Sequence, residues 1–173
     1  MKNFVFISPN FPLNYWRFCR ELKNNGLRVL GIGDCPYDNL SHELKASLDE
    51  YYKVSSLENE DEVYRAVAYF IFRYGKIDWL ESNNEYWLEK DAHLRTMFNI
   101  QSGFQDRDMS RVKLKSEMKK YYKKAGLKCA RYCRVKTYIG CRRFISQVGY
   151  PVIVKPDNGV GANDTYKISS DES

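Results

Sequence analysis

The chain has 173 residues, 28 lysines and arginines against 22 aspartates and glutamates, a net charge of +6 and 43% hydrophobic residues. That is enough to bury a core, but no run approaches the roughly 20 apolar residues of a membrane span. Cys19, Cys35, Cys129, Cys133 and Cys141 stand scattered, with no CxxC pair and only two histidines, which excludes a disulfide framework and a zinc-finger spacing. The first residues read as a strand rather than a signal peptide, so the expectation is a soluble, cytoplasmic protein with no membrane partner.

Taken in order, residues 4–7 predict a first strand, Ser8-Pro9-Asn10-Phe11-Pro12 a turn, and residues 13–25 a helix that buries Tyr15, Trp16, Cys19 and Leu22 and stops at Gly26. Residues 27–32 give a second strand, so the unit is β-α-β, with parallel strands and a right-handed crossover. Ser41 starts a short helix to about residue 48, and residues 51–54 form a third strand. Asn59 with Glu62 reads as a capping box. Val63, Ala66, Val67, Phe70, Ile71 and Tyr74 then recur at helical spacing up to Gly75. Residues 77–80 give a fourth strand, and a helix over 86–97 follows Glu81-Ser82-Asn83-Asn84-Glu85. Strands alternating with helices describe a doubly wound, Rossmann-like α/β domain over residues 1–105, with its boundary at Gln105-Asp106-Arg107-Asp108.

Ligands in such sheets sit beyond the carboxyl ends of the strands. The first of these loops holds no glycine, which argues against a dinucleotide site, and Asp34 before Pro36 reads as a turn former. At the fourth strand, Asn83 or Asn84 can cap the next helix with Glu85 near its N-terminus, and the same polar side chains could reach a ligand.

The charge then changes sign. Residues 106–143 hold 14 lysines and arginines against 3 acids, a local +11 that leaves −5 for the rest. Ser110 reads as the N-cap of a basic helix that runs to Gly126 with Val112, Met118, Tyr122 and Ala125 inward. Residues 131–135 predict a fifth strand and residues 140–148 a short helix. Val152-Ile153-Val154 reads as a buried strand that ends at Lys155-Pro156. Gly159, Gly161 and Ala162 follow, small residues whose backbone can take φ > 0 and approach a ligand, before a strand over 165–168. The whole is a flap whose amides could cradle phosphate. Gly159-Val160-Gly161 alone fits neither the dinucleotide fingerprint nor the P-loop, so an ordinary hairpin loop stays open on these residues.

The succession Lys115, Met118-Lys119, Ala125-Gly126 and then Tyr150-Pro151-Val152-Ile153-Val154-Lys155-Pro156 with its glycine loop resembles the ATP-grasp superfamily, above all its carbamoyl-phosphate-synthase-like and carboxylate-amine ligases. The resemblance covers essentially all of this chain but only the N-terminal portion of a family member. It implies a pre-ATP-grasp domain at 1–105 and the truncated start of an α+β ATP-grasp N-lobe at 106–173. By it, Lys115 and Lys155 bind ATP phosphates under a loop of Gly159, Gly161 and Ala162. Ser82, Asn84, Glu85 and Leu94-Arg95 match the family's first domain, with Asn84 and Glu85 on the substrate side. Asn163-Asp164 departs from the Ser or Lys that many relatives place in the loop.

ATP and Mg²⁺ are the implied cofactors. The catalytic groups and metal ligands are expected beyond Ser173, with no metal site in this chain. The implied activity is activation of a carboxylate as an acyl phosphate and its capture by an amine or thiol. The substrates are small molecules, the 173 residues are inactive alone, and homo-oligomers are left open. Two other classes stay open: a nucleotide-binding or scaffold module without turnover, and a nucleic-acid-binding protein using the basic 106–143 segment. The second is disfavoured because no nucleic-acid motif accompanies the charge.

Overall fold

The structure, a computed structural model, describes residues 1–159, 161 and 163–172. It divides into two units, Met1–Asp106 and Arg107–Ser173.

The first unit is a parallel sheet of β1 (Asn3–Ile7), β2 (Arg28–Gly33), β3 (Glu50–Lys53) and β4 (Trp79–Glu81) in the order β3-β2-β1-β4. Val5 lies opposite both Leu30 and Leu80. The connecting helices are α1 (Trp16–Asn24), α2 (His42–Ser47) and α3 (Glu60–Tyr74), and α4 (Leu88–Met97) follows β4 after a 3₁₀ turn over Glu85–Trp87. Helices cover both faces of the sheet, which is why β1 and β2 carry no polar side chain after their first residues, Asn3 and Arg28, rather than alternating. The strand period of two then sorts their side chains. Val5, Ile7, Leu30 and Ile32 pack with Val63, Val67 and Phe70 of α3 and Leu94 of α4. Phe4, Phe6 and Val29 pack with Cys19 of α1 and Leu44 of α2. Burial pushes the Cys19 thiol up to about 12, so it is a packing group rather than a nucleophile. On this second face β2 needs a glycine, because a Cβ at Gly31 would stand 3.0 Å from Leu48 Cδ1 and 3.2 Å from Pro9 Cγ.

The caps follow the sequence with one addition. Ser41 Oγ accepts from the Leu44 amide at 3.1 Å, and Asn59 Oδ1 accepts from the Glu62 amide at 3.4 Å. The Glu62 carboxylate turns to the preceding loop, accepting from the amide and the hydroxyl of Ser55 at 2.5 Å each. Those bonds hold the Glu62 carboxyl below its ordinary range. The helix expected from residue 13 begins only at Trp16, after turns in which the Tyr15 amide donates to the Pro12 carbonyl at 3.0 Å and the Arg17 amide to the Asn14 carbonyl at 3.1 Å.

The second unit comprises α5 (Met109–Lys113), α6 (Lys115–Lys124), α7 (Tyr138–Val148) and an antiparallel pair, β5 (Val152–Val154) with β6 (Tyr166–Ile168), in which Val154 faces Tyr166. Three expectations are corrected here. The basic helix is interrupted at Leu114, whose φ −78° and ψ 117° are extended, and Ser110 lies inside α5 rather than capping it. Residues 131–135 form no strand. β5 is not buried: Ile153 is 57% and Val154 42% exposed, since a two-stranded ribbon has no third strand at either edge. Thr137 Oγ1 accepts from the Gly140 amide at 3.1 Å, so α7 starts earlier than expected. No helix among the described residues is long and apolar enough to cross a membrane.

Candidate phosphate-binding site

Local sequence does not cap α6; a residue far along the chain does. The Lys115 amide donates to the carbonyl oxygen of Asp157 at 3.0 Å. The Ser116 amide donates to Asp157 Oδ1 at 2.7 Å, and the Ser116 hydroxyl to Oδ2 at 2.6 Å. These bonds hold the Asp157 carboxyl below the usual range, and the charges of Arg134 and Lys115 lower it further. Because Asp157 stands two residues after Lys155, the capping draws the end of β5 against the start of α6. Lys115 and Lys155 consequently line one cavity of about 740 Å³.

The cavity wall is divided. Lys115, Lys119, Arg131, Arg134 and Lys155 make it basic, with Asp157 the one acid among the lining residues, whereas Phe144, Ile145, Val148 and Val152 supply an apolar part. Lys119 donates to the Ala130 carbonyl at 3.2 Å and lies over the Tyr132 ring, so Lys115 and Lys119, one turn apart on α6, both line the cavity. Lys155 is exposed and makes no hydrogen bond or ion pair among the described residues. Asp157 is engaged by Ser116 and by Arg134, the latter at 3.7 Å. No group of three or more His, Cys, Asp or Glu that could hold a metal ion occurs among the described residues.

Of the loop residues, Gly159 accepts at its carbonyl from Lys115 Nζ at 2.9 Å. Gly161 has φ +67°, the left-handed region that favours glycine, whereas Gly159 is not among the positive-φ residues. Ala162 lies outside the described residues. Asp164, a residue the sequence marked only as a departure, also takes a left-handed φ of 51°.

Asn84 and Glu85 belong to the first unit, at the carboxyl end of β4. Asn84 Oδ1 accepts from the Tyr86 amide at 2.9 Å and thereby caps the 3₁₀ turn that Glu85 begins. Beneath this turn lies a network the sequence reading missed. Asp91 is fully buried, and its Oδ2 accepts from the Ser82 amide at 2.9 Å and hydroxyl at 2.5 Å, while Oδ1 is buried without a donor. Burial pushes the Asp91 carboxyl up to about 7, and the neighbouring Glu81 carboxylate adds to the rise. A proton on this carboxyl, favoured by burial and by the Glu81 carboxylate beside it, leaves no full charge to be satisfied at the donor-less Oδ1. The missed signal was a helical stripe, Leu88, Asp91, Ala92 and Arg95, with two charged residues on its inward face.

The folded chain therefore keeps a proton that an ordinary aspartate in the unfolded chain loses near pH 4, so the contribution of Asp91 to stability is greatest below that pH and falls as pH rises to about 7. The expected loss between pH 4 and pH 8 is on the order of 1–3 kcal/mol in urea unfolding. Asp91→Asn, whose amide can donate to Glu81 and accept from Ser82, should flatten this slope. An Asp91→Asn slope equal to that of the wild type would contradict the assignment.

No family model and no curated protein matches the sequence. Solved structures match its fold. An L-amino acid ligase from Bacillus licheniformis superposes with a TM-score of 0.67 and 17% identity over 99% of this chain and 40% of that protein. The biotin carboxylase domain of Hydrogenobacter thermophilus 2-oxoglutarate carboxylase, in complex with MgADP, ADP and bicarbonate, gives 0.77 and 18% over 99% and 38%. The N5-carboxyaminoimidazole ribonucleotide synthetase of Thermotoga maritima gives 0.67 and 17% over 99% and 42%. The chain thus spans about two-fifths of the length of the structures it matches. With its parallel sheet of order β3-β2-β1-β4 and the helices and two-stranded ribbon that follow, it shares the fold of that part of each of these proteins.

Proposed function

We propose that the chain is the N-terminal part of an ATP-dependent carboxylate-amine ligase, in which Lys115 and Lys155 take the phosphates of ATP beneath the loop of Gly159, Gly161 and Ala162. The observation that carries this reading is that two lysines distant in sequence line one cavity, fastened there by Asp157. A volume of about 740 Å³ is in the range of small-molecule sites. The basic wall suits a polyphosphate, and the apolar wall suits a flat base.

ATP brings close to four negative charges whose repulsion must be relieved before a second anion can approach its terminal phosphorus. Ammonium groups gathered in one cavity do this beside the backbone of the glycine loop. ATP supplies the phosphoryl group that activates the carboxylate for attack by an amine or thiol. Magnesium ligands belong, on this reading, to sequence beyond residue 173. Glu85 is the substrate-side candidate of the first unit, and Asn84 serves chiefly as its cap. The substrates are small molecules, and the protein works in the cytoplasm.

The test is turnover by the full-length protein. With MgATP, hydroxylamine and a panel of carboxylates, at least one carboxylate is expected to give a hydroxamate together with released phosphate. Tight nucleotide binding with no phosphate release for any carboxylate would replace the ligase reading by that of a nucleotide-binding module without turnover.

A further inference from the structure

The two amides at the start of α6 are donors of the kind a helix N-terminus offers to an anion. Here both are already taken, Lys115 N–H by the carbonyl of Asp157 and Ser116 N–H by its carboxylate. A phosphate entering the cavity therefore meets side chains and loop rather than the helix end. The same bonds tie the backbone of Lys115 to the residue two positions past Lys155, so Asp157 holds together the two backbone segments that carry the ammonium groups. Arg134, 3.7 Å from Asp157 Oδ2, offsets the carboxylate's charge and keeps the cavity attractive to polyanions. The second tie between α6 and the loop, Lys115 Nζ to the Gly159 carbonyl at 2.9 Å, uses the side chain that a phosphate would claim and is exchangeable. The Asp157 tie uses no such group and persists.

We propose that Asp157 is a positioning residue that holds Lys115 and Lys155 in register for one di- or triphosphate. The inference rests on the nucleotide reading above and adds to it a residue that touches no ligand. It requires that Asp157 matter for the outer phosphates and not for the nucleoside monophosphate end.

The experiment is calorimetric titration of the full-length protein and its Asp157→Ala and Asp157→Asn variants with ATP, ADP and AMP. Asp157→Ala is expected to weaken ATP and ADP about 10- to 30-fold with AMP unchanged. Asp157→Asn keeps an oxygen for the Ser116 amide and is expected to recover at least about threefold of that loss. ATP affinity within twofold of wild type in Asp157→Ala overturns the proposal, as does an equal loss for AMP, which marks a general structural role. A wild type that binds none of the three nucleotides overturns the nucleotide reading itself, and the inference with it. Should Asp157→Ala not fold, Ser116→Ala makes the same comparison: a loss of about threefold for ATP with none for AMP supports the proposal, and equal losses overturn it.

Discussion

Replacing Arg95 with leucine is expected to lower the unfolding free energy of the N-terminal unit by about 3–5 kcal/mol, a large share of what a domain of this size possesses. Arg95 is 1% exposed and fully committed. Its Nε donates to the Leu80 carbonyl at 2.7 Å, Nη1 to the Phe104 carbonyl at 2.9 Å, and Nη2 to Glu81 Oε2 at 2.6 Å. One planar guanidinium thus joins the end of β4 to the segment following α4. Leucine leaves two carbonyls and one carboxylate short of a donor, each carrying its own desolvation cost. Lysine has a single ammonium and cannot span the three acceptors, so Arg95→Lys should recover less than half of the loss. Gly103 belongs to the same arrangement, because it has φ +75° and a Cβ there would stand 2.8 Å from Arg95 Cζ. Urea unfolding of the variants measures this, and a loss below about 1 kcal/mol for Arg95→Leu would show that the network contributes little.

The first unit was largely legible because its signals are local. The β-branched and aromatic runs of β1 and β2, the stripe Val63, Ala66, Val67, Phe70, and Gly26 and Gly75 at helix ends each act within a few residues. What escaped reading depends on distance along the chain. Ser110 is a sound local cap, yet the helix carrying Lys115 starts later, where Asp157 captures its first amides across 41 positions of sequence. Asp157, beside Pro156 and Asn158-Gly159, reads as a turn former until its partners are known. Residues 131–135 have a strand-like composition but no neighbouring strand to pair with, and composition alone cannot supply one. Lys155, Gly159 and Gly161 stood out locally as a strand end and a small-residue loop, but Lys115 and the pairing of the two lysines came from the family resemblance, since no local pattern would have joined them in one cavity. Asp91 and Arg95 were legible in principle, since each stands three positions after an apolar residue, Leu88 and Ala92, and charged residues on such a stripe signal a buried polar network.

Lys115→Met and Lys155→Met are each expected to weaken MgATP binding about 10- to 100-fold, the scale of one charge-assisted hydrogen bond in a partly enclosed site. Lys120→Met is expected to change it little, because Lys120 does not line the cavity and is paired with Glu117 at 2.6 Å. The contrast separates a nucleotide site from general attraction of polyanions to a basic surface, for which all three lysines would count about equally. The most direct measurement is lysine acylation of the full-length protein, read by mass spectrometry with and without MgATP. Lys115 and Lys155 are expected to become protected together, at one nucleotide concentration, while Lys120, Lys123 and Lys124 keep their reactivity. Unchanged labelling of both, or protection of one without the other, would contradict this.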